Sequence, residues 1–266
     1  MDYLDELENK SIYIMREAYA RFKDISLLWS IGKDSTTMLW IARKAFFGKI
    51  PFPVMHIDTS YKFQEIYEFR EKYTKEWGLD LIVSKNEEAL ANGISPKREK
   101  LECCNALKTL ALKTSIADKD YKALLLAIRR DEHGIRAKER YFSPRDEKFK
   151  WNYQDQPAEL WDLYKGKTAA GEHFRVHPML HWTELEIWQY VKRENIPMTS
   201  LYFARDGKRY RSIGCETCCE PVDSNADTID KVIHELETTD IAERSGRAQD
   251  KEDAYTMQKL RSLGYM

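Results

Sequence analysis

The sequence predicts an α/β fold with a mainly parallel sheet, followed by a mainly helical C-terminal part. Short apolar runs alternate with amphipathic stretches along the first half of the chain, and this alternation is typical of βαβ units. The 266 residues, of which 42% are hydrophobic, suffice for a sizeable core. Because 43 basic residues nearly balance 44 acidic ones, the net charge of -1 favours neither a nucleic acid nor a membrane surface as a partner.

The individual elements follow from hydrophobic periodicity. Apolar residues recur at helical spacing over 3–22, which predicts an amphipathic first helix. Strands and helices then alternate, with strands predicted at 25–30, 52–58, 79–84 and 122–128 and helices at 34–47, 62–77 and 101–117. A long charged segment interrupts the pattern beyond residue 129. Further along, periodicity predicts a strand at 174–179 and helices at 183–194, 227–238 and 251–263.

The N-terminal stretch and the cysteines indicate the compartment. MDYLDELENK is acidic and polar, unlike a secretory signal. No apolar run approaches the roughly 18 residues of a membrane span. We therefore expect a cytoplasmic protein without a membrane partner, in which the five cysteines do not form a disulfide framework.

The stretch LLWSIGKDSTTMLW, residues 27–40, predicts a strand, a tight loop and a helix. A Walker loop is excluded, because Leu27 stands where its first glycine is required and Asp34 follows the lysine. Backbone N–H groups at a helix N-terminus nevertheless form an anion cradle. The candidate phosphate-binding residues are Ser30, Gly32, Lys33, Asp34 and Ser35. Asp34 suits either the helix N-terminus or a Mg²⁺ ion, and an ordinary βα turn with polar caps is the alternative.

This loop, with several later blocks, resembles the PP-loop ATP pyrophosphatases, which cleave ATP between the α- and β-phosphates. SIGKDS is similar to their S-G-G-x-D-S loop, with Ile31 at the position of a glycine. AIRRDEHGIRAKERYFSPRD, HWTELEIWQYVKRENIP and ERSGRAQDKEDAYTMQKLRSLGYM extend the resemblance to the family of sulfonucleotide reductases and sulfate adenylyltransferase small subunits. The resemblance implies ATP and Mg²⁺ as cofactors. It also implies a PP-loop nucleotide-binding domain over 1–200 and a C-terminal segment over 201–266, with a cysteine motif and a basic tail.

Residues after the second strand are further candidates, because ligands of open α/β sheets lie beyond the carboxyl ends of strands. HIDTS, residues 56–60, resembles the D-T-G-x-K-F segment of the family, with Ser60 at the glycine. The resemblance places Asp58, Thr59 and Lys62 at the nucleotide. For Asp58, a helix cap is the alternative role.

Arginines after the fourth strand are candidates for binding oxyanions. The apolar strand ALLLAI directs Arg129 and Arg130 to the same sheet edge, and guanidinium groups suit phosphate or sulfate oxygens. We therefore predict that these two arginines act with Lys33 and Asp34 in catalysis. The further candidates for the oxyanion or substrate are Arg136, Lys138, Arg209, Arg211, Arg244 and Arg247. The alternative for such charge runs is a solvated surface.

The cysteines fall into two groups, a C-C pair and a downstream C-x-x-C. Four thiolates hold either Zn²⁺ or an iron–sulfur cluster, and this pattern resembles the [4Fe–4S] ligands of the adenylyl-sulfate reductases. The predicted ligands are Cys103, Cys104, Cys215 and Cys218, with Cys219 as an additional candidate. We expect a [4Fe–4S] cluster, with Zn²⁺ as the alternative. Buried thiols that serve as small hydrophobes are the remaining interpretation.

Three functions follow from these features. The preferred one is sulfate activation, in which ATP and sulfate give adenylyl sulfate and pyrophosphate with a GTPase large subunit, because the resemblance runs along the chain. The cysteines favour a sulfur-insertion enzyme that works with a cysteine desulfurase on tRNA or DNA. A nucleotide-sensing scaffold is disfavoured by the intact GKDS loop. A sulfonucleotide reductase is disfavoured because no cysteine follows Cys219.

Overall fold

A computed structural model describes residues 2–97, 100–167 and 169–247. Within these ranges, one sheet contains the strands β1 (Ile25–Leu28), β2 (Val54–Ile57), β3 (Leu81–Ser84), β4 (Ala123–Leu125), β5 (Phe142–Arg145) and β6 (His173–Val176). Their order is β3-β2-β1-β4-β6-β5, and all neighbours are parallel except the antiparallel pair β5 and β6. The predicted α/β fold with a mainly parallel sheet is confirmed.

Helices connect these strands and follow them. Their bounds are α1 (Tyr3–Phe22), α2 (Lys33–Ala45), α3 (Gln64–Glu76), α4 (Glu87–Ala91), α5 (Lys100–Cys104), α6 (Ala111–Lys119), α7 (Glu184–Glu194) and α8 (Ile229–Thr238). Helix α7 begins where the sequence signals it, because the Thr183 hydroxyl accepts a hydrogen bond of 3.3 Å from the Glu186 N–H. None of the helices in the described ranges is long and apolar enough to cross a lipid bilayer.

The core lies on both faces of the sheet. Neighbouring residues of β1 point to opposite faces, so Leu27 and Leu28 belong to different hydrophobic clusters. The larger cluster includes residues of α1, α2, α3 and α7, and the smaller one includes residues of α6. The larger cluster continues through Tyr202 and Ala226 to Val232, so α8 is anchored to the same core. The division at residue 200 remains a prediction.

Several elements differ from the sequence-based prediction. The helix predicted at 101–117 is divided, because a π-helix (Asn105–Leu110) separates α5 from α6. The charged segment beyond residue 129 contains β5, and a short antiparallel pair, β7 (Lys208–Arg209) with β8 (Val222–Asp223), precedes α8. The helix predicted at 251–263 lies outside the described residues.

Candidate functional site

A pocket lies beyond the carboxyl ends of β1, β2 and β4, at the N-terminus of α2. The connections from β1 lead to β2 on one side, whereas β4 flanks β1 on the other, so this is the point where the strand order reverses. Ligands of doubly wound sheets bind at such a point. Its two ends differ chemically: one is formed by the loop before α2, and the other lies beside the cysteines.

The loop before α2 brings a helix N-terminus and two serine hydroxyls to one end of the pocket. Gly32 is the N-cap and supplies no side-chain cap, so the first N–H groups of α2 need other partners. The Lys33 N–H donates to the Tyr202 hydroxyl at 2.7 Å, and the Ser30 and Ser35 hydroxyls lie 3.0 Å apart. Ile31 adopts a left-handed backbone with φ of 66° at the position where the family has glycine.

The Lys33 ammonium group is buried among carboxylates. Its Nζ lies 2.5 Å from a Glu243 oxygen, and 3.7 Å from an oxygen of Asp34 and of Glu184. Burial alone would lower the pKa of Lys33, but these three carboxylates raise it above its ordinary value. The lysine is therefore a permanent cation at the loop.

Arg129 shares two of these carboxylates with Lys33. Its Nε donates to Asp34 at 2.7 Å, one terminal nitrogen donates to Asp131 at 2.9 Å, and the other contacts Glu243. Burial would raise the pKa of Glu243, but Lys33 and Arg129 lower it to about 2. Three of the four predicted catalytic side chains are thus joined, because Lys33 and Arg129 both contact Asp34 and both contact Glu243.

The other end of the pocket carries three cations beside thiols. Lys62, Lys108 and Arg247 line it, and Lys108 is supplied by the π-helix. The Arg247 guanidinium runs against Gly214, where a Cβ atom would lie 2.2 Å from a guanidinium nitrogen. Burial first, and then repulsion by Lys108 and Arg247, lowers the pKa of Lys62. This end is therefore strongly positive.

The cysteines gather behind these cations. The Cys215 thiol lies 3.2 Å from the Thr59 hydroxyl, and the Cys219 sulfur accepts hydrogen bonds from Gly214 N–H at 3.0 Å and from Arg247 at 3.1 Å. Burial would raise the pKa of Cys215, but Lys108, Lys62 and the Thr59 hydroxyl lower it to about 7. A thiolate is therefore stabilised at this end of the pocket.

The two cysteine groups lie in one region of the protein. The pKa of Cys103 is raised to about 12, first by burial and then by Cys104 and Cys215. All five thiols are free and buried. Among the described residues, however, no three side chains of His, Cys, Asp or Glu come together as a metal site. The [4Fe–4S] cluster and the Zn²⁺ alternative therefore remain predictions.

Asp58 makes contacts outside the pocket lining. Its carboxylate accepts the Ser60 N–H at 2.8 Å and pairs with Arg70 at 3.2 Å and with Lys85 at 3.5 Å. Ser60 adopts a φ of 61°, so the second position where the family has glycine also keeps a left-handed backbone. Asp58 therefore holds the turn that presents Thr59 and Lys62.

Three of the predicted oxyanion-binding residues line the pocket, and a fourth lies beside the loop. Arg136 and Arg244 line the pocket with Arg247, and both contact Glu132. Arg211 lies beside the loop, 2.8 Å from Glu184.

Three further predicted cations lie outside the pocket lining and have aromatic or acidic neighbours there. Arg130 stacks on Tyr141, and Lys138 lies over Tyr153. Arg209 is buried 2.6 Å from Glu235. The catalytic role of Arg130 and the substrate roles of Lys138 and Arg209 remain predictions.

Sequence reasoning missed four residues that complete the pocket and its surroundings, Lys108, Glu184, Tyr202 and Glu243. Three of them reach Lys33 from positions at least 151 residues away in the chain. Glu184 is the first residue of α7, directly after the N-cap. Its position in the sequence therefore indicated the start of a helix but gave no sign of a contact with Lys33. Glu243 begins the ERSGR stretch, in which only the arginines were predicted to bind.

Solved structures support the fold. FMN adenylyltransferase from Candida glabrata matches with a TM-score of 0.59 and 19% identity, over 92% of this chain and 87% of that chain. A phosphoadenylyl-sulfate reductase from Candida auris matches with a TM-score of 0.56 and 15% identity, over 83% of this chain and 96% of that chain. At these identities the likeness concerns the fold alone.

Sequence comparisons identify the family. The chain is 40% identical over 300 residues to "Sulfate adenylyltransferase subunit 2" of Pseudomonas aeruginosa, covering 100% of this chain and 98% of the relative. The protein of that name from Saccharophagus degradans is 41% identical over 296 residues, with the same coverage. The model of the phosphoadenosine phosphosulfate reductase domain matches residues 24–221. The chain therefore belongs to the phosphoadenosine phosphosulfate reductase domain family, as its PP-loop geometry and its relatives both indicate.

Proposed function

We propose that this protein is the ATP-cleaving subunit of a sulfate adenylyltransferase, which converts ATP and sulfate to adenylyl sulfate and pyrophosphate. The observation that supports it most is the pair of buried cations, Lys33 and Arg129, at the N-terminal end of α2. The full-length similarity to subunits of that name supports sulfate as the acceptor of the adenylyl group.

The reaction is a displacement at the α-phosphorus. A sulfate oxygen forms the new bond to phosphorus, and the bond to the bridging oxygen of the β-phosphate breaks, so pyrophosphate leaves with the electron pair. Negative charge then grows on the leaving group. The N–H groups of the loop, the α2 dipole, Lys33 and Arg129 are arranged to stabilise that charge.

Mg²⁺ is expected with the nucleotide, since it neutralises phosphate charge when bound. Asp34 fits as a ligand, because a carboxylate is the donor that Mg²⁺ prefers and this one remains 18% exposed at the loop. The name of the relatives implies a second subunit, and we propose a GTPase large subunit in that role. The five free thiols suit the reducing cytoplasm.

Pyrophosphate release tests this function. With the partner subunit present, release should depend on sulfate, and Lys33→Ala should slow it on the order of a hundredfold or more. Lys44→Ala is the matched control, because Lys44 lies on the same helix but pairs with Glu8 and Glu194 near the surface. Release that is stimulated by duplex DNA or tRNA and indifferent to sulfate would refute the assignment.

Sulfur insertion with a cysteine desulfurase is the second candidate, because the thiols lie beside the cationic end of the pocket. Only this candidate brings a nucleic acid as acceptor, whose binding would weaken steeply with salt. Metal content after anaerobic purification tests its cofactor: a [4Fe–4S] protein would carry about four irons per chain. Cys103→Ala or Cys218→Ala should then lose the metal, whereas Cys219→Ala should retain it. Stoichiometric zinc without iron would argue against this candidate.

A further inference from the structure

Residues 239–247, here called the strap, lie along the pocket, with Glu243 at its loop end and Arg247 at its other end. Three of its members, Glu243, Arg244 and Arg247, line the pocket directly. The strap is held at both ends: the Ile241 carbonyl accepts a hydrogen bond of 2.5 Å from Arg211, and the Gly246 carbonyl accepts one of 2.9 Å from the Glu220 N–H.

Glu243 places a carboxylate where the loop would hold an anion. One of its oxygens is 2.5 Å from the Lys33 ammonium group, and the other contacts the Arg129 guanidinium. Lys33 is the first residue of α2, and Arg129 donates to Asp34, the second. A carboxylate whose two oxygens bridge a lysine and an arginine offers these cations two negatively charged acceptors, as a phosphate group does.

The charged side chains around Lys33 leave no positive surplus at the loop end of the pocket. Lys33, Arg129 and Arg211 face four carboxylates, which are those of Asp34, Asp131, Glu184 and Glu243. A phosphate group at the loop end would therefore meet a net negative set of side chains, although Lys62, Lys108 and Arg247 keep the other end positive. Removal of the Glu243 carboxylate balances the two sets and frees one contact on each of Lys33 and Arg129.

We infer that Glu243 substitutes for a nucleotide phosphate in the closed protein, so that a polyphosphate must displace the strap in order to bind. This inference rests on the proposed function, since it takes the pocket to bind nucleotide phosphates. The strap is then an autoinhibitory element: it closes the loop until the substrate competes for the same two cations. Because Arg244 and Arg247 lie on the same strap, its displacement also moves these two cations of the pocket.

Hydrogen–deuterium exchange and calorimetry with inorganic pyrophosphate test the inference on the full chain. Saturating pyrophosphate should speed amide exchange over 239–247 in the wild-type protein. Glu243→Gln, which keeps the side-chain shape, should bind pyrophosphate about tenfold to a hundredfold more tightly, because apparent affinity rises with the open fraction. Glu237→Gln removes an exposed carboxylate from α8 and should change neither readout.

Slower exchange of the strap with pyrophosphate, or unchanged affinity in Glu243→Gln, would overturn the inference while leaving the nucleotide site intact. The exchange measurement needs no variant, so it decides the matter even if Glu243→Gln folds poorly. Lys33→Ala should abolish pyrophosphate binding. Pyrophosphate that fails to bind the wild-type protein, or that binds Lys33→Ala equally well, would refute both this inference and the proposed function.

Discussion

Replacement of Lys33 by methionine should reduce both stability and activity, and a second change should separate the two effects. The lysine is 1% exposed, and its Nζ lies between Glu243 at 2.5 Å and Asp34 and Glu184 at 3.7 Å. Loss of one partner from a buried ion pair costs about 3 to 5 kcal/mol of unfolding free energy. For a chain of this size, that corresponds to a fall in Tm on the order of 10 °C.

The double variant Lys33→Met with Glu243→Gln should recover at least about 2 kcal/mol of that loss, because it no longer contains the carboxylate that Lys33→Met leaves unpaired. Recovery is expected because Asp34 keeps Arg129 at 2.7 Å and Glu184 keeps Arg211 at 2.8 Å. Activity should not recover, because neither variant restores a cation for the leaving pyrophosphate.

Urea unfolding of the four proteins gives the coupling energy, and sulfate-dependent pyrophosphate release gives the activity. A coupling energy below about 0.5 kcal/mol would show that the two groups do not interact as a buried pair. Activity restored in the double variant would refute the role of Lys33 in stabilising pyrophosphate.

Four further predictions follow. Labelled ATP should give AMP-containing products and pyrophosphate; ADP as the main product would contradict the PP-loop assignment. Lys108→Met removes a cation from the pocket and should raise the sulfate concentration needed for half-maximal pyrophosphate release about tenfold. Lys119→Met, at an exposed position, should leave that concentration unchanged. Ser60→Gly should raise the unfolding free energy by about 0.5 kcal/mol by relieving a left-handed residue; a lower Tm would refute this. Burial, then Arg175 and Arg145, lowers the pKa of His173 to about 3. Only the unfolded chain then gains this proton between pH 6.5 and 3, so stability should fall by about 1.4 kcal/mol per pH unit on acidification; His173→Gln should have a shallower slope in urea unfolding, and parallel slopes would contradict it.

The elements that were predicted correctly are those with a local signal. Helix α1 matches its predicted range of 3–22, and the parallel strands β1, β2 and β4 lie within their predicted ranges. Strand β5 had no such signal, since FSPR contains a proline and an arginine. Its Arg145 is buried only because Glu139 lies 3.0 Å away and the Ser143 hydroxyl 2.7 Å away. Such compensation comes from tertiary contacts, which periodicity does not record.

In the candidate site, too, the residues with a local sequence signal were predicted and those placed by tertiary contacts were missed. Lys33 and Asp34 were predicted because the chemistry of the loop is contiguous in sequence. Glu243 and Tyr202 were missed because they reach Lys33 across 210 and 169 residues of chain. Resemblance could point to the arginines of the tail, but the glutamate beside them gains its role only from the two cations that it contacts.

The π-helix at 105–110 makes the spacing of the chain, as well as its chemistry, a determinant of the pocket. A π-turn holds an additional residue compared with an α-turn. Deletion of one residue from this stretch would favour an ordinary α-helix and rotate the preceding part by about 100° relative to α6. Cys103 and Cys104 would then turn away from the C-x-x-C group, while the phosphate loop kept its shape. Loss of a single codon would thus separate the two cysteine groups without replacing a cysteine or a residue of the loop before α2.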